Sequence, residues 1–295
     1  MSRSRRSVLV LPGSNRHMAE KAATVAAAEV VLDLEDAVPD DAEAKERGRH
    51  ELLETLRELD FGDRTVAVRI NGVRTPYAVH DIMALVPEVA DRISCLVIPK
   101  VGGAGEVAFV EHMLAALEST SHHLGLELQI EGPKGLEAVG DIAGASSRTE
   151  ALIFGPGDFA AAMGMPQLGI GQEASGYPGD IWHFALSRIA VAAKAHGLQA
   201  IDGPCSEIAD GALLERSAER AAQLGYDGKW AIHPSQLEVV NKAFTPTADQ
   251  VRQAEQILAA LAGRGGASRL GGEMVDEAHG RMAREVLLRA SGPTS

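Results

Sequence analysis

Leu128-Gln129-Ile130-Glu131-Gly132-Pro133 and Leu152-Ile153-Phe154-Gly155-Pro156-Gly157-Asp158 decide the fold between them. Each is a short apolar run that delivers one carboxylate beside Gly and Pro. Gly and Pro end a strand abruptly, so each acid is expected at a strand mouth rather than within a wall. The segment between the two runs carries a helical pattern at residues 136–143, so the strands are expected to pair in parallel across it. Two acids presented this way can grip one hard divalent cation, since Mg2+ takes few protein oxygens and leaves room for water and substrate.

The same alternation extends outward in both directions. Strand patterns fall at residues 7–12, 30–36, 65–71, 95–101, 127–131, 151–155, 198–202 and 228–233. Helical patterns fall between them at 17–28, 42–58, 78–86, 106–118, 136–143, 181–196 and 212–224. Eight such units predict an α/β fold, a TIM (β/α)8 barrel, over residues 1–240. A doubly wound sheet is the alternative, disfavoured because no Gly-rich dinucleotide fingerprint follows the first strand. Residues 241–295 read as a C-terminal helical extension, with helices at 249–262 and 277–290 and a Gly-rich linker at 263–272.

Composition narrows the function classes. At 45% hydrophobic and 23% charged residues the chain has a soluble, globular composition. A net charge of −13 argues against nucleic-acid and anionic-membrane partners, which need a basic surface. Two cysteines, Cys95 and Cys205, are too few for a disulfide framework and fit a reducing cytoplasm. The basic start through Arg3, Arg5 and Arg6 is expected to be a solvated tail. The apolar run after it, Val8 to Leu11, is too short for a secretory signal and stops at Pro12.

Side chains alternate across a strand, which separates the faces. In residues 65–71, Val66, Val68 and Ile70 belong against outer helices, so Arg69 points into the barrel. By the same count Asp33, Glu35, Gln129 and Glu131 point inward. Buried charge is costly unless paired or coordinated, and these charges are expected to gather at the carboxyl ends of the strands, where such barrels place their chemistry. Glu131 and Asp158 are therefore the candidate metal ligands, against capping of a helix starting at Phe159 by Asp158. Arg69 is suited to a substrate carboxylate or a developing enolate oxygen, or alternatively to an ion pair with Glu35 or Asp36. Glu35 and Asp36 are candidates to hold a metal-bound water, fix Arg69 or bond Lys100. Lys100 reads as a cation balancing the acids rather than a Schiff-base lysine. Pro12-Gly13-Ser14-Asn15-Arg16 precedes a helix and reads either as an anion-receiving turn or as a plain turn capped by Ser14 or Asn15. His233 reads as a satisfied structural histidine, and Asp276 either as a helix cap or as an acid on a closing segment.

Taken together, Ser7-Val8-Leu9-Val10-Leu11-Pro12-Gly13-Ser14-Asn15, Leu32-Asp33-Leu34-Glu35-Asp36-Ala37-Val38, Val68-Arg69-Ile70-Asn71 and Gly228-Lys229-Trp230-Ala231-Ile232-His233-Pro234-Ser235-Gln236 resemble the citrate lyase β-subunit-like family. This is the CoA-ester lyase branch of the HpcH/HpaI aldolases, with malyl-CoA and citramalyl-CoA lyases among its members. The resemblance runs over nearly the whole chain. It implies a TIM barrel, Mg2+ dependence (with Mn2+ as the alternative ion) and a homo-oligomer, trimer or hexamer. It implies Glu131 and Asp158 as metal ligands, and Arg69 as the substrate- and enolate-binding arginine. Asp276 matches the acid/base that reaches a neighbouring subunit's site. Pro12, Gly13, Ser14, Arg16 and Gly157 are the remaining expected substrate contacts. The expected activity is reversible cleavage of an acyl-CoA such as malyl-CoA to acetyl-CoA and a 2-oxo acid. The alternatives are a malyl-CoA thioesterase, a citrate lyase β-subunit, or a barrel that binds without catalysis.

Overall fold

A computed structural model of the chain describes residues 3–119, 123–166, 168–172, 177–262 and 268–291. The chain divides into two compact units, Met1–Asn241 and Lys242–Ser295.

In the first unit eight parallel strands close on themselves: β1 (Ser7–Pro12), β2 (Glu29–Asp33), β3 (Thr65–Arg69), β4 (Cys95–Ile98), β5 (Gly125–Ile130), β6 (Thr149–Phe154), β7 (Gln199–Asp202) and β8 (Gly228–Ala231). Closure is made by β8 pairing with β1, with Ala231 opposite Leu9. Between the strands run α1 (Arg16–Ala22), α2 (Ala42–Glu58), α3 (Tyr77–Val89), α4 (Ala104–Leu117), α5 (Pro133–Glu137), α6 (Val139–Ala143), α7 (Pro156–Met163), α8 (His183–Ala195) and α9 (Gly211–Gln223). The fold is the α/β TIM barrel that the alternation predicts. Val8, Val31, Ala67, Val97, Ile153, Ile201 and Trp230 meet inside it, one pleat from the residues that carry charge. α10 (Leu237–Phe244) spans the division between the units. No helix among the described residues is long and apolar enough to cross a membrane.

Several strands end earlier than their apolar sequence suggests. β2 stops at Asp33 and β3 at Arg69, although the next residues still bond across, the Leu34 N–H donating to the Arg69 carbonyl at 2.9 Å and the Ile70 N–H to the Val97 carbonyl at 3.2 Å. Burial continues through Leu34, Ile70 and Asn71. α1 ends at Ala22 rather than running on through the alanines to residue 28. The helix after β6 begins at Pro156, pre-organised for a first helical position, so Asp158 sits in the first turn and is not its cap.

The expected solvated tail is overturned at Arg5. Its side chain is 1% exposed and enters the amino end of the barrel. There it lies 2.8 Å from Glu127, 3.1 Å from Glu29 and 2.7 Å from Glu150, and donates to the Sγ of Cys95 at 3.2 Å. Charge inside the barrel is therefore gathered at both ends, not at the carboxyl end alone. Sequence position hid this, because a basic run before the first strand looks like surface.

The second unit holds α11 (Ala248–Ala262), β9 (Ser268–Leu270), β10 (Glu273–Val275) and α12 (Glu277–Ala290), with α11 packed on α12. Residues 263–267 of the expected linker lie outside the described residues; the rest of it is a hairpin. Gly271 and Gly272 have φ of 58° and 94°, and two positive-φ residues in a row suit a tight two-residue turn between antiparallel strands.

Candidate active site

The carboxyl ends of β1–β3, β5, β6 and β8 surround a cavity of about 480 Å3. Pro12, Asp36, Arg69, Glu131, Gly157 and Asp158 line it. Asp33, Gln129 and Trp230 line it too, with Val10, Ile170 and Ile232 as apolar wall.

Glu131 follows the last residue of β5 and is 3% exposed. Its Oε1 accepts the Lys100 backbone N–H at 2.6 Å and its Oε2 accepts Gln129 Nε2 at 2.8 Å. Gly155 makes room for this arrangement. A Cβ there would lie 2.5 Å from Glu131 Oε2 and 3.0 Å from Gln129 Nε2, so any larger residue would push the carboxylate aside. Asp158, in the first turn of α7, is half-exposed at the cavity edge.

Arg69 closes β3 and is nearly buried. Nε and Nη2 donate to both oxygens of Asp33, at 2.7 and 2.6 Å. Nη1 lies 3.0 Å from Glu35 and 3.4 Å from Asp36, and the guanidinium stands 5.6 Å from the Trp230 ring centroid. A bidentate fork fixes orientation as well as charge. Lys100 sends its ammonium to Glu35, to Asp36 at 3.4 Å and to Asp158 at 3.7 Å.

Negative charge is in excess here. Asp33, Glu35, Asp36, Glu131 and Asp158 face Arg69 and Lys100, and the buried Lys45 ammonium, seated on the Leu34 and Glu35 carbonyls, is the third cation acting on Asp33 and Glu35. Burial, reinforced by Glu35 and Asp158, pushes the Glu131 carboxyl well above the usual range, and Arg69 offsets this only in part. Burial also pushes Glu35 up to about 7, against Arg69 and Lys100. Burial acts on Asp36 as well, but there Arg69 and Lys100 prevail and hold the group low.

The remaining expected residues divide. The turn after β1 is capped by Asn15, whose Oδ1 accepts the Met18 N–H at 3.0 Å. The Gly13 N–H bonds the Asp33 carbonyl at 2.8 Å, Arg16 pairs with Glu20 and Glu58, and neither these two nor Ser14 lines the cavity. His233 is engaged by Ser235, its Nδ1 accepting the Ser235 N–H at 3.2 Å. In the second unit Asp276 caps α12. Its Oδ1 accepts the Ala278 N–H at 2.9 Å and meets His279 Nδ1 at 2.8 Å, and these hydrogen bonds hold its carboxyl below the usual range.

Among the described residues no group of three or more His, Cys, Asp or Glu side chains forms a metal cage. Glu131 and Asp158 nonetheless fit Mg2+. The donors are hard oxygens, the ion takes one or two carboxylates and otherwise waters and substrate, and each Glu131 oxygen, with one hydrogen bond, keeps a second lone pair.

Lys100 is the cation balancing the acids that the sequence suggests, and three further residues had no role assigned in the sequence. Asp33 was visible as inward-facing, but three acids in four positions concealed which one clamps Arg69. Gln129 shared the inward face without a stated role. Trp230 lay in a short apolar strand and read as core. For Lys100 no sequence signal points to its backbone, which adopts φ of 55°.

The pattern of the HpcH/HpaI aldolase/citrate lyase family matches residues 6–234. An L-malyl-CoA/beta-methylmalyl-CoA lyase of Cereibacter sphaeroides (strain ATCC 17025 / ATH 2.4.3) is 39% identical over 98% of this chain and 95% of its own. A (3S)-malyl-CoA thioesterase of Cereibacter sphaeroides is 33% identical over 97% of this chain and 94% of its own. The solved structure of the protein CitE from Mycobacterium tuberculosis, in complex with magnesium, acetoacetate and coenzyme A, is 30% identical. It covers 96% of this chain and 97% of its own, with a TM-score of 0.77.

Proposed function

The chain belongs to the HpcH/HpaI aldolase/citrate lyase family, and from that premise we propose that it is a Mg2+-dependent carbon–carbon lyase. Its substrate in this reading is a 3-hydroxy-3-carboxy acyl-CoA such as malyl-CoA or citramalyl-CoA, cleaved reversibly to acetyl-CoA and a 2-oxo acid. The observation that carries the proposal is Glu131, a buried carboxylate under-neutralised by its surroundings, in one cavity with Asp158 and Arg69.

Glu131 and Asp158 would hold the ion. Bound there, Mg2+ supplies Lewis-acid polarisation and a template for oxygen ligands. Glu35, raised to about 7, is matched to accept the substrate hydroxyl proton through water, since a base works best near the ambient pH. As the hydroxyl-bearing carbon becomes a carbonyl, an aldehyde from malyl-CoA or a ketone from citramalyl-CoA, the bonding electrons pass into the thioester to give an enolate. Arg69, locked by Asp33, presents fixed positive charge where that oxygen becomes negative. Asp276 of a neighbouring subunit protonates the enolate carbon, and in condensation acts as base on the acetyl-CoA methyl. Pro12 and Gly157, which line the cavity, border the substrate in this reading, and Gly13, Ser14 and Arg16 lie outside the cavity lining. A homotrimer or hexamer in the cytoplasm is the assembly and setting we infer, and the two buried free cysteines fit a reducing compartment.

The thioesterase reading is favoured by one relative's activity. Incubation with Mg2+ and malyl-CoA, following glyoxylate, malate and free thiol separately, decides between the two. Glyoxylate without thiol is the expected result. Malate with thiol would establish hydrolysis, and no product from malyl-CoA or from citramalyl-CoA, followed in the same way through pyruvate, would leave a binding role.

A further inference from the structure

Lys100 is the one non-glycine with positive φ among the described residues, at 55°. An L-residue adopts this conformation at a cost, so the surroundings must hold it there. The strained backbone aims one residue in two directions. Its N–H reaches Glu131 Oε1 at 2.6 Å, while its side chain crosses to Asp158 Oδ2 at 3.7 Å and to Glu35 and Asp36. Lys100 thus touches both acids assigned to the ion, one through the main chain and one through its charge. The two contacts act in opposite senses. The N–H orients Glu131 and leaves a lone pair free, whereas the ammonium occupies the electrostatic place of a cation beside Asp158. Glu131 itself meets no Lys, Arg or His in an ion pair among the described residues, so the built-in cation covers only half of the pair.

Resting on the metal reading of Glu131 and Asp158, we propose that Lys100 is an internal competitor of the divalent ion. Its ammonium, hydrogen-bonded to Glu35 and 3.4 Å from Asp36, stands 3.7 Å from Asp158 and there competes with the ion for the Asp158 charge, which weakens ion binding until an anionic ligand adds compensating charge. Lys100 is a positioning residue in this account, because it acts through Asp158 and Glu131.

Glycine adopts positive φ freely, so Lys100→Gly keeps the backbone and its N–H while deleting the ammonium. Lys100→Met deletes the charge but keeps the stem, and Lys100→Arg keeps the charge. Free Mn2+ is titrated against each full-length protein by electron paramagnetic resonance, with far-UV circular dichroism as the folding control. Removing a like charge from beside a cation site is expected to tighten Mn2+ binding about tenfold in Lys100→Gly and Lys100→Met, with Lys100→Arg close to wild type. Adding glyoxylate should tighten wild-type binding more than that of Lys100→Gly. Unchanged or weaker Mn2+ binding in folded Lys100→Gly overturns the proposal and makes Lys100 an organiser of the acids. If wild type binds Mn2+ no better than Glu131→Ala and Asp158→Ala, the metal reading falls and this inference with it. Loss in those two variants with no change in Lys100→Gly sinks the competitor alone.

Discussion

The two ends of one barrel solve the problem of buried charge in opposite ways. At the amino end Arg5 lies within 3.1 Å of Glu29, Glu127 and Glu150 and donates to Gln199 at 2.6 Å. At the carboxyl end the carboxylates outnumber the cations, and a cavity opens over them. The first arrangement is a closed cluster in which Arg5 serves three acids, yet Glu29 and one Glu127 oxygen lack a hydrogen-bond partner, and burial together with Glu127 pushes the Glu29 carboxyl well above its usual range. The second turns its surplus negative charge toward a cavity, where something else can neutralise it. Buried ions without full compensation are expensive, and only where such charge borders open space can an incoming ligand use it. The difference teaches that charge in a barrel is not by itself a site; unfilled charge beside open space is.

Substitutions can break this contrast. The largest effect is expected from Glu131→Gln. Turnover should fall about 10^3-fold or more as the ion site is lost. The melting temperature should hold or rise, because a buried charge is removed. Steady-state kinetics beside calorimetry would show this, and a large stability loss with retained turnover would invert the contrast. Arg5→Met should do the reverse. Leaving Glu29 and Glu127 buried without their cation is expected to cost about 3–5 kcal/mol in urea unfolding, with kcat per folded molecule unchanged. Next comes Arg69→Lys, which keeps a charge but loses the fork to Asp33; kcat/KM should drop about 10^2-fold with a smaller change in stability. The smallest effect concerns pH. Glu35 holds its proton longer folded than unfolded, from 4.5 up to about 7. Its contribution is thus fully present below about 4.5 and lost as pH rises to about 7. Metal-free wild type should lose stability over that window relative to Glu35→Gln, and parallel pH profiles for the two proteins would contradict the assignment.

Much of this was legible in the chain. Period-two alternation in residues 65–71 put Arg69 inside, and the same count turned Gln129 and Glu131 inward. Gly and Pro marked where Glu131 and Asp158 leave their strands. What escaped has physical reasons. Arg5 precedes its strand, and only barrel closure shows that three acids from β2, β5 and the start of β6 wait there. The Asp33 clamp on Arg69 depends on β2 pairing with β3 in register, Asp33 opposite Arg69, a nonlocal fact. The role of Lys100 depends on a backbone conformation that its residue type disfavours. The hairpin at Gly271-Gly272 was available, since two adjacent glycines between short runs signal a tight turn, but it was absorbed into a linker.

Crystals soaked in Mn2+ and read by anomalous diffraction test the central claim most directly. An anomalous peak in contact with carboxylate oxygens of both Glu131 and Asp158, absent from Glu131→Gln crystals, is the predicted result. A cavity without a peak, or a peak held by other residues with these two acids uninvolved, would contradict it.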